Sequence, residues 1–255
     1  MSGPGLVQRT RQRLVPGLRN ANWAYREVLD RHVGPSTRWL DLGCGHQLLP
    51  TWMKDGLAYA RTLADRCRVL VGVDYTAASV VAHQTLRHRL VGDVQRLPFA
   101  AGSFDLISAN MVVEHVDDPS ALLAQITRVL APGGVFLFHT PNRRFYQILL
   151  TMWVPPAVRK RAASLIEGRD ESDVFPTRYR MNSTRAVAAL AESHDLVVEE
   201  LHLLNSGLTA GGIPPIALAE IALTRLLESP RLAGGRSNMI VALRKRAVSS
   251  GSGTS

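Results

Sequence analysis

Seven short apolar runs rich in Val, Leu and Phe alternate along this chain with longer stretches of helical spacing, and that alternation restricts the fold more than any other feature. The runs cover residues 38–41, 69–74, 89–91, 104–109, 135–139, 196–204 and 239–244. Helical patterns fall at about 21–33, 50–66, 76–86, 119–130 and 183–194. Strands that alternate with helices predict an α/β fold with a mostly parallel, seven-stranded sheet covered by helices on both faces. The clearest helix, 119–130, puts Leu122, Leu123, Ile126, Val129 and Leu130 on one face and stops at Pro132-Gly133-Gly134. Two stretches, 141–181 and 205–238, are too long for simple connections and are expected to be helical insertions that cover a substrate. The Gly-, Ser-, Pro- and Arg-rich ends, 1–20 and 247–255, read as a flexible arm and tail around a single domain, 21–246.

Hydrophobic residues make up 46% of the 255, enough to bury a sizeable core. The net charge of +9 suits an anionic partner such as nucleic acid, a phospholipid surface or a phosphorylated substrate. Nearly all the basic residues are arginine, and with abundant alanine that also follows from a GC-rich genome, so charge alone does not argue for nucleic acid. Cys44 and Cys67 have no metal-ligand spacing and make no disulfide framework, which suits a reducing cytoplasm. The Arg-rich N-terminus is not followed by the apolar stretch of a secretory signal. No run approaches the ~18 apolar residues of a spanning helix. The expectation is a cytoplasmic protein, at most peripheral to the inner face of a membrane.

The chemistry gathers at the ends of the runs. Asp41-Leu42-Gly43-Cys44-Gly45 closes the first, and its glycines let the backbone turn tightly and approach a ligand. A dinucleotide fingerprint would need glycine at 48, where Leu48 stands, and Asp41 would repel a pyrophosphate but suit a ligand with an amino group. Asp74, followed by Tyr75, ends the second run, placed either to accept from a ribose diol or to cap the next helix. After the third run, Asp93 can accept from an adenine amino group while Val94 packs on the ring. The fourth runs into Asn110 and on through Glu114 to His115, which places Asn110 and His115 at the rim of the crevice.

Leu-Asp-Leu-Gly-Cys-Gly, Val-Gly-Val-Asp, Gly-Asp-x-x-x-Leu-Pro-Phe, Ser-Phe-Asp-Leu-Ile and Glu-His-Val, in that order over about 36–142, resemble the class I S-adenosylmethionine-dependent methyltransferases, and 128–134 is similar to the stretch before that family's fifth strand. The resemblance implies a Rossmann-like fold with S-adenosylmethionine as cofactor. It further implies that Asp41 and Gly43–Gly45, Cys44 included, hold the methionine end, Asp74 and Tyr75 the ribose, Asp93 and Val94 the adenine, with Asn110 beside them. Gln47 stands where many members carry a third glycine. The stretch Pro176-Thr177-Arg178-Tyr179-Arg180-Met181-Asn182 resembles a subset of bacterial members associated with cell-surface glycan or lipid modification, and the whole is of the ubiquinone-biosynthesis-like, small-molecule or lipid type.

A sulfonium already activates its methyl group, so such an enzyme mainly aligns an acceptor for in-line attack. A base is needed only for a poorly acidic hydroxyl or carbon, and His115 is the candidate, with a structural role after the fourth strand as the alternative. Glu114 reads as a loop or cofactor-side contact, and His139, in an apolar run, as a satisfied core histidine. On the acceptor side Tyr25 is placed either to close over the cofactor or to pack, and Arg143 and Tyr146 open the first insertion. Arg178 suits a phosphate or carboxylate and Tyr179 a ring, or both sit on a solvated loop. The apolar residues after Arg143-Arg144, with Arg159-Lys160-Arg161 beyond, form either a lid or a face for an anionic membrane, and 213–227 is a second such stretch. O-methyl transfer to a small-molecule or lipid-linked acceptor is the leading expectation. Nucleic acid is not the expected partner, since Asn110 is followed by Met-Val-Val and not by the Pro-Pro-aromatic stretch of base-flipping enzymes. A catalytically silent cofactor-binding protein is the alternative from another class.

Overall fold

The computed structural model describes residues 5–18, 20–50, 52–53, 55–152, 176–207 and 214–247. Seven strands form: β1 (Arg38–Leu42), β2 (Val69–Asp74), β3 (His88–Val91), β4 (Phe104–Asn110), β5 (Leu130–Pro141), β6 (Leu196–Leu204) and β7 (Asn238–Lys245). They make one sheet in the order β3-β2-β1-β4-β5-β7-β6. The first five strands pair in parallel, while β7 enters antiparallel between β5 and β6. The chain reverses direction across the sheet between β1 and β4, so a crevice opens outside the C-terminal ends of those strands.

Strand alternation sends neighbouring residues to opposite faces. On one face Leu40 and Leu42 join Phe136 and Phe138 under α5 (Pro119–Val129) and α7 (Thr184–Glu192). On the other, Trp39, Leu70 and Leu137 pack under α2 (Ala21–His32) and α3 (Gly56–Arg66). The N-terminus of α5 is fixed by Asp118, whose carboxylate accepts from the Ser120 and Ala121 amides at 2.9 and 3.1 Å. Ser183 caps α7, accepting from the Ala186 amide.

Several boundaries differ from the sequence expectation. The arm expected to be loose over 1–20 carries α1 (Leu6–Leu14), which packs on α8 (Pro214–Leu227) of the second insertion. The helix expected from 50 starts only at Gly56, after the turn at Pro50 and a left-handed Asp55 at φ +60°. Helix α4 (Ala77–Ala82) stops short of 86 because His83 leaves helical conformation and its Nδ1 accepts the Thr85 and Leu86 amides, both at 3.1 Å. Strand β5 starts at Leu130, five residues early, across an irregularity opposite Phe104 and Leu106. The first insertion contributes α6 (Tyr146–Met152). Its residues 153–175, with Arg159-Lys160-Arg161, lie outside the described residues, as do 208–213 and 248–255. No described helix is long and apolar enough to cross a membrane.

Leu123 is fully buried between α5 and the sheet. Leu123→Ala is expected to cost about 3 kcal/mol in urea unfolding, whereas Leu6→Ala, at a position 60% exposed on α1, is expected to cost less than about 1 kcal/mol.

Candidate active site

The site is built from the strand ends upward. Asp41 on β1 lies directly across from Ser108 on β4. The Ser108 hydroxyl donates to Asp41 Oδ1 and accepts from Trp39 Nε1 at 2.7 Å. Asp41 is only 5% exposed, and burial pushes its carboxyl up to about 7, with the Asp74 charge adding to that and the Ser108 bond opposing it. Tyr25 of α2 is buried behind this group, its ring centroid 5.9 Å from that of His139, and its phenol is pushed upward by the same burial.

Above Asp41 the chain turns through Gly43 and Gly45 at φ +61° and +56°. A Cβ on Gly43 would stand 2.4 Å from Val112 Cγ2, so glycine is required there for space as well as conformation. Cys44 is buried between them, its thiol pushed up by burial, and its Sγ would lie 2.8 Å from a Cβ on Gly72. The Gly45 amide donates to Asp74 Oδ2, and the Thr76 amide to Asp74 Oδ1, each at 2.8 Å. The N-cap of α4 is Thr76, so Asp74 fixes both the glycine turn and the helix entry while each oxygen keeps a lone pair toward the groove. The segment after α4 supports the turn from below, with the Gln84 amide donating to the His46 carbonyl at 3.3 Å.

The groove has two halves that meet at Gly43 and Met111. The larger, about 530 Å³, brings together Asp74, Tyr75, Asp93, Val94, His115 and Arg178. Asp93 accepts from the Gln95 amide at 2.8 Å, and Arg178 pairs with Asp117 at 2.6 Å. His115 Nδ1 lies 3.3 Å from the Pro176 carbonyl, so the histidine faces this half and ties it to the segment after the first insertion. The smaller half, about 460 Å³, brings together Asp41, Cys44, Asn110, Gln47, His139 and Trp52. His139 is a buried histidine as expected, held down to about 4 by burial, but it lines this cavity as well.

Other expected contacts lie elsewhere. Tyr25 sits behind the wall and on neither half. Arg143 is exposed, its amide donating to the Asn182 carbonyl. The Tyr146 hydroxyl donates to Glu220 of α8 at 3.3 Å, joining the two insertions. Tyr179 takes a left-handed φ of +52° beside Arg178, and its amide donates to the Glu114 carbonyl. Glu114 makes a loop contact through its carbonyl, which accepts from the Arg178 and Tyr179 amides, but its side chain lines neither half: it is 2% exposed, accepts from Thr140 Oγ1 at 2.9 Å, and burial pushes its carboxyl up to about 7. Sequence reasoning missed Asn20, Asn22, Ser206, Asn238 and Trp52, all on the smaller half. The available signal was position, since Asn20 caps α2 and Asn238 opens β7 at the strand-end edge.

The donor set fits a cation-bearing cofactor. Asp41 is a buried carboxyl with no ion pair among the described residues, Gln47 Oε1 is buried with no partner among them, and both residues line the same cavity. No described cluster of His, Cys, Asp and Glu could hold a metal ion.

Burial leaves Asp41 and Glu114 raised to about 7 and His83 and His139 lowered to about 4. Between about pH 4 and 7 the unfolded chain has already released the carboxyl protons that the fold retains, so these two acids lower stability as pH rises. The histidines act oppositely between about pH 4 and 6.5, where the unfolded chain binds protons and the fold does not. Asp41→Asn keeps an acceptor for Ser108 and removes one acid. It is expected to stabilise the ligand-free protein by about 2–4 kcal/mol at pH 8, a gain that vanishes near pH 4 in urea unfolding.

A family model described as a methyltransferase domain matches residues 6–201. Among curated proteins, a probable S-adenosylmethionine-dependent methyltransferase of Mycolicibacterium smegmatis is 34% identical over 144 residues, 55% of this chain and 54% of that protein. A ubiquinone biosynthesis O-methyltransferase of Caulobacter sp. is 36% identical, over 47% of this chain and 50% of that one. A malonyl-[acyl-carrier protein] O-methyltransferase of Serratia marcescens is 30% identical, over 71% and 64%. The chain thus spans about half the length of the first two relatives. The YcgJ protein of Bacillus subtilis shares the fold at a TM-score of 0.55 and 19% identity, over 88% of this chain and 98% of that one. By the family match and by the order of its strand-end motifs, the chain belongs to the class I S-adenosylmethionine-dependent methyltransferases.

Proposed function

We propose that the chain transfers the methyl group of S-adenosylmethionine to a hydroxyl of a small-molecule or lipid-linked acceptor. The observation that carries this reading is Asp41: a carboxyl buried under a glycine turn, raised by burial and lacking a cation, next to a groove that holds Asp74 and Asp93. When bound, S-adenosylmethionine supplies a methyl group already activated on a cationic sulfur. Asp41 then takes the cofactor's positive end, the free lone pairs of Asp74 meet the ribose hydroxyls, and Asp93 with Val94 holds the adenine. The closed backbone at Gly43 lets the cofactor lie against the chain. An acceptor oxygen gains the new C–O bond as the C–S bond breaks with its electron pair on sulfur, and the hydroxyl proton leaves to His115. Two of the relatives are named as O-methyltransferases, which supports oxygen as the atom methylated.

The outer side of the insertions supports contact with an anionic membrane. Leu149 and Leu150 are 46% and 64% exposed just after Arg143-Arg144, and α1 presents Arg11 and Arg13 in its last turn against α8. Co-sedimentation with vesicles containing phosphatidylglycerol should retain the protein, and Leu149→Glu with Leu150→Glu should release it. Equal retention by this double variant removes that face from the reading.

Calorimetric titration with S-adenosylmethionine and S-adenosylhomocysteine tests the cofactor reading. Asp74→Ala is expected to weaken binding at least about tenfold. Because the cation binds ionised Asp41, affinity should rise up to about tenfold per pH unit toward pH 7 and then flatten. Asp41→Asn should lose that rise. No binding by folded protein overturns the proposal. With binding intact, His115→Ala should slow transfer about 100-fold; unchanged transfer means that alignment suffices and no base acts.

A further inference from the structure

Beside α3 lies a second cavity, which shares no lining residue with the cofactor groove. Its origin is the length of α4. The six residues of that helix reach only about 9 Å, whereas the six of β2 extend about 20 Å, so part of the strand is left without helical cover. Residues 83–87 cross the remainder without regular structure, and about 520 Å³ opens between them, α3 and the starts of β2 and β3. These starts are the strand ends opposite those that carry Asp41 and Asp74.

The charge of this cavity is one-sided. Arg61 of α3, Arg68 just before β2, Arg87 just before β3 and Arg89 within β3 line it against a single carboxylate, Asp65. Asp65 lies 3.8 Å from Arg87 with both side chains largely exposed, a contact that neutralises little. Arg61, Arg68 and Arg89 have no ion pair among the described residues. Arg89 is nonetheless fixed in place. Its Nη1 donates to the His83 and Leu86 carbonyls, each at 2.9 Å, and its Nη2 to the Val81 carbonyl at 3.3 Å. That leaves its Nε–H and one Nη2–H for a ligand.

Hydrogen bonding points the same way. His83 is 5% exposed, and burial, with the Arg89 charge next, holds it down to about 4, so its ring is neutral near neutral pH. Its Nδ1 accepts the Thr85 and Leu86 amides, which puts the ring proton on Nε2. Nε2 and the Thr85 hydroxyl are both buried without a hydrogen-bond partner among the described residues, and both residues line the cavity. Buried donors beside uncompensated guanidinium groups favour an anion with several acceptor oxygens. A cation is repelled there, and a neutral apolar ligand leaves donors and charges unpaired. A phosphate monoester brings about two negative charges and three strong acceptor oxygens, more than a carboxylate can offer this set. The volume falls in the range of small-ligand pockets. We propose that this cavity is a second binding site, for the phosphate group of a small phosphorylated molecule, with Arg61, Arg68 and Arg89 supplying the charge and His83 and Thr85 the neutral donors. The site stands independently of the methyltransferase reading.

Calorimetric titration of the full chain with pyrophosphate and with inorganic phosphate, at constant ionic strength, tests it. Pyrophosphate is expected to bind with a dissociation constant below about 1 mM. Equal affinity for inorganic phosphate makes a single phosphate group sufficient, and a preference for pyrophosphate makes the ligand a diphosphate; both support the site. Arg61→Ala with Arg68→Ala removes two exposed side chains and should weaken binding at least about tenfold. Arg9→Ala with Arg13→Ala on α1 changes the net charge equally and should leave affinity within about twofold. The imidazole Nε2–H resonance of His83 should move as pyrophosphate is added. Absence of binding by folded protein overturns the proposal. So does equal weakening by the two double variants, which would reduce the effect to general attraction by a basic chain, or an unmoved His83 resonance. A short single-stranded oligonucleotide that binds more tightly than pyrophosphate, and is weakened equally by both pairs, would likewise move the effect from the cavity to the surface.

Discussion

A carboxyl buried where the sheet reverses direction sets the terms for everything around it. Asp41 is held by Ser108, Ser108 by Trp39, and Trp39 anchors the α2–α3 side of the core. The site and the hydrophobic core therefore share a side chain, and neither can shift without the other. The ligand-free fold tolerates Asp41 by leaving it raised to about 7. A bound cation would reverse that preference, so the energy of binding and the charge state of the floor are coupled.

Around this floor the groove divides by chemistry. One half carries the carboxylates of Asp74 and Asp93, with Asp74 also serving as the brace between the glycine turn and α4. The other sets the Asp41 carboxyl among amides drawn from the start of α2, the end of β4 and the start of β7, with His139 from the end of β5. Four separate elements thus meet in one hydrogen-bonded chain, and helix α2 is fastened to the sheet through side chains that line the cavity. The Glu114–Thr140–Asn182 group does similar work on the far side, tying the turn after β4 to the segment that carries Arg178.

The alternation of apolar runs and helices made the seven strands legible, because a parallel sheet buried on both faces leaves near-continuous Val and Leu runs. The strand-end acids were legible too: Asp41 lines the smaller half and Asp74 and Asp93 the larger, and all three sit where local sequence and topology coincide. The amide half was not, because Asn20, Asn22, Asn110 and Asn238 come from distant parts of the chain and each reads locally as a cap or an edge residue. Helix α1 was read as loose because its charge dominates its composition, and its partner α8 comes about 200 residues later in the chain. Glu114, next to His115, read as a loop or cofactor-side contact. A 3-10 turn at Val113–His115 sends it inward and leaves the histidine facing the groove.

The antiparallel insertion of β7 has a consequence for how the molecule is made. β5 and β6 do not pair with each other. Each pairs with β7, which follows both in the chain. Until residues 238–245 have left the ribosome, β5 keeps an open edge and β6 has no neighbour, so an apolar sheet border waits unpaired. The same late strand delivers Asn238 to the groove. Closing the border and finishing the amide wall are thus one event.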